Sequence, residues 1–255
     1  MDKMPEPHIL VTASVPEEAE GIKRRLTSPE QKRIGGRFLV EGNIGSVSVR
    51  LMETGPGLVN TAQSLAAAIE NRTPAMLLMT GCAGGFRKAG VDVGDVCIAT
   101  EENDVHLGVE TEGENRLPDP LPFDLAVVDG VSIKHRIPLD RRLSNNALDI
   151  LKEGFGDPAI SIHQGPFVTV STITATDPGA DRLYDRFRPF MENMEGAAAA
   201  LVAKHYGIPF LEIRCASNRV GKRNRGEWDL PLACRRSAEA AVMWIRAQKE
   251  VNSDR

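Results

Sequence analysis

The sequence predicts an α/β fold, on three observations. Short apolar runs of strand length alternate with longer stretches of helical character. Glycine-rich turns stand where several of those strands give way to helices. The chain of 255 residues, 42% hydrophobic with 23 glycines, is also long enough for one large domain with a full core, so residues 1–255 are read as a single unit.

His8 to Ala13 is the first strand, apolar enough to be buried on both faces. It runs into Ser14-Val15-Pro16-Glu17-Glu18, from which a helix should continue to about Leu26. Pro16 suits the opening position of that helix, and acids in its first turn suit the helix dipole. The same turn would also place an acid at the carboxyl edge of the first strand. Arg37 to Glu41 and Ser46 to Glu53 form a meander through Gly42-Asn43-Ile44-Gly45. Thr54-Gly55-Pro56-Gly57 then opens a helix from Leu58 to Glu70, and its bare backbone N–H groups make a generic cradle for an anion or a sugar.

Ala75 to Thr80 is a further buried strand, ending in Gly81-Cys82-Ala83-Gly84-Gly85-Phe86, where missing side chains leave space for a flat group against the backbone. Asp95 to Thr100 is the next strand. The charged, proline-containing stretch 101–122 reads as a flap or subunit-contact segment. Arg141 to Glu153 is a surface helix, and Phe167 to Thr174 alternates hydroxyl with apolar side chains as a strand with one polar face.

Residues 191–218 organise the chain. An alanine-rich helix begins near Asn193 and Glu195, and a hydrophobic strand then delivers Ser217 and Asn218 to its carboxyl end, where ligands of α/β sheets bind. A carboxylate at Glu195 could accept both hydrogen bonds of a ribose diol, with Gly196 and the alanines leaving room for the ligand to approach. Alternatively, Asn193 is an N-cap and Glu195 ordinary first-turn charge. Arg219 to Trp228 is a basic loop, open to an acidic part of a substrate or simply solvated, and Asp229 to Gln248 is the closing helix.

Several functions are disfavoured. A formal net charge of −4, from 31 basic and 35 acidic residues spread along the chain, provides no basic stripe for nucleic acid. No apolar run approaches membrane-spanning length and residues 1–10 lack the pattern of a secretory leader, so a cytoplasmic protein without membrane contact is expected. The four cysteines and five histidines are scattered, so neither a disulfide framework nor a metal site is expected. Neither G-x-x-x-x-G-K-[ST] nor G-x-G-x-x-G occurs, and no cofactor is implied.

Together, Thr80-Gly81-Cys82-Ala83-Gly84-Gly85, Asn193-Met194-Glu195-Gly196-Ala197-Ala198 and Ile213-Arg214-Cys215-Ala216-Ser217-Asn218 resemble the nucleoside phosphorylase and nucleosidase superfamily, in the expected order over nearly the whole chain. The resemblance implies a three-layer α/β/α domain with a central mixed sheet, a small nucleoside as substrate, and a homo-oligomer whose partners complete the site. It also implies that Met194 and Glu195 bind ribose, that Gly57, Ala83, Gly84, Thr174 and Ser217 line the substrate site, and that Asn218 binds the departing base. Within the superfamily the likeness is greatest to the futalosine hydrolases, through Val109-Glu110-Thr111, Thr169-Val170-Ser171-Thr172, and Ser217-Asn218 with Val220, Gly221, Arg223, Arg225 and Trp228. The family's water-activating glutamate falls in the turn after strand one, which here holds two adjacent acids. Counting from Ala13 selects Glu17 and counting from Ile22 selects Glu18; Glu17 is the expected residue.

The chemistry is consistent with those roles. Cleavage of a purine N-glycosidic bond needs a nucleophile beneath C1′, support for an oxocarbenium-like sugar, and a base protonated at N7. An asparagine amide can donate to a purine O6 while accepting from a protonated N7, which suits a 6-oxopurine better than adenine. Residues 12–20, acidic and without a basic side chain, disfavour phosphate as the acceptor. For futalosine, Lys222 to Arg225 is the candidate for the tail carboxylate.

Overall fold

The computed structural model describes residues 7–113, 117–128 and 130–248; the remaining parts of the 1–255 domain, and of the 101–122 segment, lie outside the described residues. Ten strands form one mixed sheet: β1 Ile9–Ala13, β2 Thr27–Ile34, β3 Arg37–Ile44, β4 Val47–Glu53, β5 Met76–Gly85, β6 Val96–Asp104, β9 Arg136–Pro138, β10 Ile162–Thr169, β11 Met191–Asn193 and β12 Phe210–Arg219. Its order is β11-β10-β6-β12-β5-β1-β4-β3-β2, with β9 against β6. Two short strands, β7 Ala126–Val128 and β8 Val131–Ile133, pair separately.

The helices are α1 Pro16–Lys23, α2 Leu58–Asn71, α3 Arg141–Gly154, α4 Asp177–Phe187, α5 Gly196–Tyr206 and α6 Leu230–Ala247. One face of the sheet packs on α1, α3 and α6 around Ile22, Leu151 and Trp244, and the other on α2 and α5 around Leu65, Ile69 and Ala200. This is the expected three-layer α/β/α arrangement. A third cluster, built on Phe86, Val168, Leu183 and Phe187, seats α4 near the carboxyl end of the sheet.

Two features position the site. The parallel strands β1, β4, β5 and β12 leave their carboxyl ends on one side of the molecule. There β11, parallel to β10, also pairs antiparallel with the end of β5, Met191 with Gly85 and Glu192 with Gly84. That second pairing closes β5, β12, β6, β10 and β11 into a ring. The segment Gly81 to Gly85 is therefore part of a long curled strand, which runs five residues past the strand body read at Ala75 to Thr80.

Other differences are local. The meander has a third strand, β2, whose side chains are almost all exposed and which carries no apolar alternation to announce it. The strand expected to reach Thr174 ends at Thr169. A separate helix, α4, begins after Thr176, whose hydroxyl caps it by accepting from the Gly179 N–H at 3.2 Å.

Candidate active site

Ala13 ends β1 and Val15 is the N-cap of α1, which makes Pro16, Glu17 and Glu18 the first three helical residues. The third position folds back over its own helix terminus. Glu18 Oε2 accepts from the Ser14 N–H at 2.8 Å, and Oε1 accepts from the Cys82 N–H at 2.8 Å with Cys82 Sγ at 3.1 Å. A Cβ on Gly81, whose φ is +150°, would fall 2.5 Å from Glu18 Oε1. That glycine thus makes room for a carboxylate of the protein. Glu18 is buried, whereas Glu17 points to solvent. The expected residue was Glu17; of the two neighbours, a helix step of about 100° apart, the structure turns Glu18 inward and Glu17 outward.

Glu195 comes from the other side. Its side chain, 5% exposed, accepts from the Gly57 N–H at 3.0 Å through Oε1 and meets Arg214 Nη2 at 3.2 Å through Oε2. Gly57, at φ +90°, turns its N–H inward at the start of α2. On the alternative reading Glu195 was first-turn charge after an Asn193 N-cap; in the structure Glu195 is itself the N-cap residue of α5 and Asn193 ends β11. Asn193 Oδ1 caps α5, accepting from Glu195 N–H at 2.9 Å and Gly196 N–H at 2.7 Å, and this frees the Glu195 carboxylate to turn toward Gly57.

Behind Glu195 lies a buried polar network absent from the sequence reading. Arg214 is 1% exposed and donates to Glu212 Oε1 at 2.9 Å as well as to Glu195. Burial opposes its charge, but the Glu212 and Glu195 carboxylates outweigh it and hold the guanidinium protonated. Glu102, fully buried, accepts from Asn193 Nδ2 at 2.6 Å and from Thr169 Oγ1 at 2.7 Å. Burial, reinforced by the neighbouring Glu212, pushes its carboxyl well above the ordinary range. Gly196 is a glycine because a Cβ there would collide with the Glu102 and Glu212 carboxylates, which corrects the expectation that it clears space for a ligand. The alternation of Glu212 and Arg214 in the otherwise apolar Phe-Leu-Glu-Ile-Arg-Cys was the available signal: two charges on one face of a buried strand require partners.

The remaining expected residues gather around the curled end of β5. Asn218 pairs with Gly84 across the sheet. Its Nδ2 donates to the Arg219 carbonyl at 3.1 Å, and its Oδ1 lies 2.8 Å from Ser217 Oγ, itself 3.2 Å from the Ala83 carbonyl. The Thr174 N–H donates to Glu192 Oε1 at 3.1 Å. Met194 packs at the margin of the Phe86 cluster. Glu192 was not singled out from the sequence.

Arg50, a buried basic side chain, lies away from this region. It bonds Glu41, Asn71 and the carbonyls of Ala68 and Arg72 at the carboxyl end of α2, about 20 Å of helix from Gly57. Arg37 lies nearer, where a Cβ on Gly55 would come within 2.9 Å of its Nη1, and its Nη2 donates to Asn60 Oδ1 at 2.6 Å. The basic loop after Asn218 borders a cleft of about 910 Å³, lined also by Phe86, Lys88 and Tyr184. Its Arg223 stacks on Trp228, 4.6 Å from the ring centre. The cleft adjoins the Asn218 end of the site and does not enclose Glu18 or Glu195. Among the described residues no group of three or more His, Cys, Asp or Glu side chains could hold a metal ion. No helix among them is long and apolar enough to cross a membrane.

Residues 7–247 match the model of the phosphorylase superfamily. A 5′-methylthioadenosine/S-adenosylhomocysteine nucleosidase of Bacillus cytotoxicus is 28% identical over 87% of this chain and 90% of its own length, and one of Bacillus thuringiensis is 27% identical over the same shares. Among solved structures, the nucleosidase of the same name from Neisseria meningitidis, in complex with methylthio-immucillin-A, superposes with a TM-score of 0.79 at 23% identity, covering 94% of this chain and 99% of that one. The Helicobacter pylori enzyme with butyl-thio-DADMe-immucillin-A gives a TM-score of 0.80 at 19% identity, over 95% and 99%.

Proposed function

The chain belongs to the phosphorylase superfamily, and on that premise we propose that it hydrolyses the N-glycosidic bond of a purine nucleoside. The observation that carries this reading is the convergence of two buried carboxylates, Glu18 and Glu195, from opposite sides of the carboxyl end of the sheet. Glu18, placed beside Cys82 at the curled strand, positions water beneath C1′ and takes its proton. Glu195, anchored by Gly57 and Arg214, accepts from the 2′ and 3′ hydroxyls, and its charge favours the cationic sugar. Asn218 binds the base at N7 and O6 as it leaves. Met194 and the backbone at Ala83 and Gly84 complete the walls.

Water rather than phosphate is the acceptor in this proposal. Arg214 is committed to two carboxylates and Arg50 to the far end of α2, while Glu18 would repel an anion. Arg37 is the residue through which phosphorolysis would act, so turnover with and without phosphate decides the point.

Two substrate readings follow from different observations. The relatives support 5′-methylthioadenosine and S-adenosylhomocysteine. Asn218 supports a 6-oxopurine nucleoside, of which futalosine, with its acidic aromatic tail, is the reading carried from the sequence. Lys222, Arg223 and Asn224 of that loop border the cleft, beside Arg87, Lys88 and Arg219, and are the groups proposed to receive such a tail. Alanine at both Arg223 and Arg225 should then raise KM for futalosine more than for inosine; equal effects would remove the loop from substrate binding. A homo-oligomer belongs to the same proposal.

A further inference from the structure

Two acidic side chains of the network behind Glu195 meet at the start of α5. Glu102, near the end of β6, and Glu212, early in β12, are both 0% exposed. A Cβ on Gly196 would lie 2.5 Å from Glu102 Cδ and 2.6 Å from Glu212 Oε2, so the two carboxyl groups converge on one point. The Glu102 oxygens accept from Asn193 Nδ2 and Thr169 Oγ1, and Glu212 Oε1 accepts from Arg214 Nε. Glu212 Oε2 is buried without a hydrogen-bond partner. The group beside it is the Glu102 carboxyl.

The charges around the pair do not balance if both acids are ionised. Thr169 from β10, Asn193 from β11 and Gly196 from α5 are uncharged. Among the described residues the cation bonded to the pair is Arg214, and it also meets Glu195 at 3.2 Å, with Glu18 acting on the same guanidinium. Two adjoining buried carboxylates repel one another, and burial together with Glu212 pushes the Glu102 carboxyl well above its ordinary range. A protonated Glu102 has a donor to offer, and the unpaired oxygen of Glu212 is an acceptor.

We propose that Glu102 and Glu212 hold one proton between them, and that the single charge of the pair makes Glu212 a positioning residue for Glu195 through Arg214. The proton on Glu102 is donated to Glu212 Oε2, which leaves Glu212 Oε1 to fix Arg214 Nε at 2.9 Å while Nη2 reaches Glu195 Oε2. Glu212 thereby balances the Arg214 charge, and Glu195 keeps its own for the sugar. Without that balance the guanidinium faces Glu195 alone, draws its carboxylate away from the ribose hydroxyls and neutralises it. The shared proton does not depend on any substrate; the effect on catalysis deepens the nucleosidase reading and rests on it.

The test uses Glu102→Gln, Glu212→Gln and the double variant, with a melting curve for each. Either single change puts an amide N–H where the shared proton was, donating to the carboxylate that remains, so one charge stays. The infrared difference between wild type and each single variant at neutral pH should contain the carbonyl stretch of a protonated carboxylic acid. Its absence from either difference would overturn the shared proton, and this arm stands if the double variant does not fold. Next, kcat/KM is measured for inosine or 5′-methylthioadenosine, whichever wild type cleaves faster, and for its 2′-deoxy analogue. The double variant, with no charge behind Arg214, should lose about tenfold or more beyond the product of the two single effects. Its preference for the ribonucleoside over the 2′-deoxy analogue should fall with it. A folded double variant that shows only the product of the single effects, or that keeps the wild-type preference, would overturn the positioning role of Glu212. Wild type that cleaves no nucleoside would overturn the nucleosidase reading instead and leave the infrared result to decide the proton.

Discussion

Glu18 and Gly81 occupy one another's space: the carboxylate of the first helix fills the volume that a side chain on the fifth strand would take, with Oε1 2.5 Å from where that Cβ would lie. The sequence feature that suggested room for a ligand is, at this position, room for the acid itself. Glu18→Gln should therefore lower kcat by about 10²–10⁴-fold, the usual contribution of a positioned general base. Glu17→Gln should leave turnover within about twofold, since that side chain is solvent-facing. Single-turnover base release from both variants checks this; collapse in Glu17→Gln with activity retained in Glu18→Gln would reverse the assignment.

Asn218→Asp supplies an acceptor where the amide places its donor. The ratio of adenine to hypoxanthine nucleoside cleavage should rise by about ten- to a hundredfold, because one buried polar mismatch costs about 1–3 kcal/mol. Competing the two nucleosides in one reaction measures the ratio directly. No change would remove Asn218 from base recognition.

The network behind Glu195 makes a prediction that separates charge from hydrogen bonding. Burial and Glu212 push the Glu102 carboxyl well above its ordinary range, so Glu102→Gln should retain stability within about 1 kcal/mol. Glu102→Ala strands Thr169 and Asn193 and should cost about 3 kcal/mol or more, with activity falling as Asn193 and then Glu195 lose their seating. Urea unfolding of both variants decides it. Equal losses would mean that Glu102 is ionised in the folded protein.

His8 couples stability to pH. Burial, with Arg72 and Arg50 adding to it, lowers its imidazole from 6.5 to about 3. Between those values the unfolded chain binds a proton that the folded chain does not, so the contribution is full above about pH 6.5 and is lost as pH falls toward 3. The cost is about 1.4 kcal/mol for each unit within that window. His8→Gln should flatten the fall in Tm between about pH 6 and pH 4 relative to wild type. Parallel curves would show that His8 protonates without hindrance.

How much of this was legible in the sequence depends on the residue. Buried strands announced themselves by apolar runs, and the glycine turn stands before α2 and Ser217-Asn218 near the end of a buried strand, as expected. The choice between Glu17 and Glu18 was not legible, because a shift of one residue in the helix start decides which acid turns inward. Nor was the β11–β5 pairing, since a three-residue strand carries no periodicity, and it is this pairing that brings Glu192 beside Gly84. The strand body was read only to Thr80 because glycines weaken the strand signal, and only the strand partners show that it continues to Gly85.

The most direct measurement of the central claim is release of free base from futalosine, inosine and 5′-methylthioadenosine by purified protein in phosphate-free buffer, followed by chromatography. Glycosidic cleavage without phosphate, faster on the 6-oxopurine nucleosides and abolished in Glu18→Gln, is the expected result. Turnover that requires added phosphate and yields a sugar 1-phosphate would contradict it.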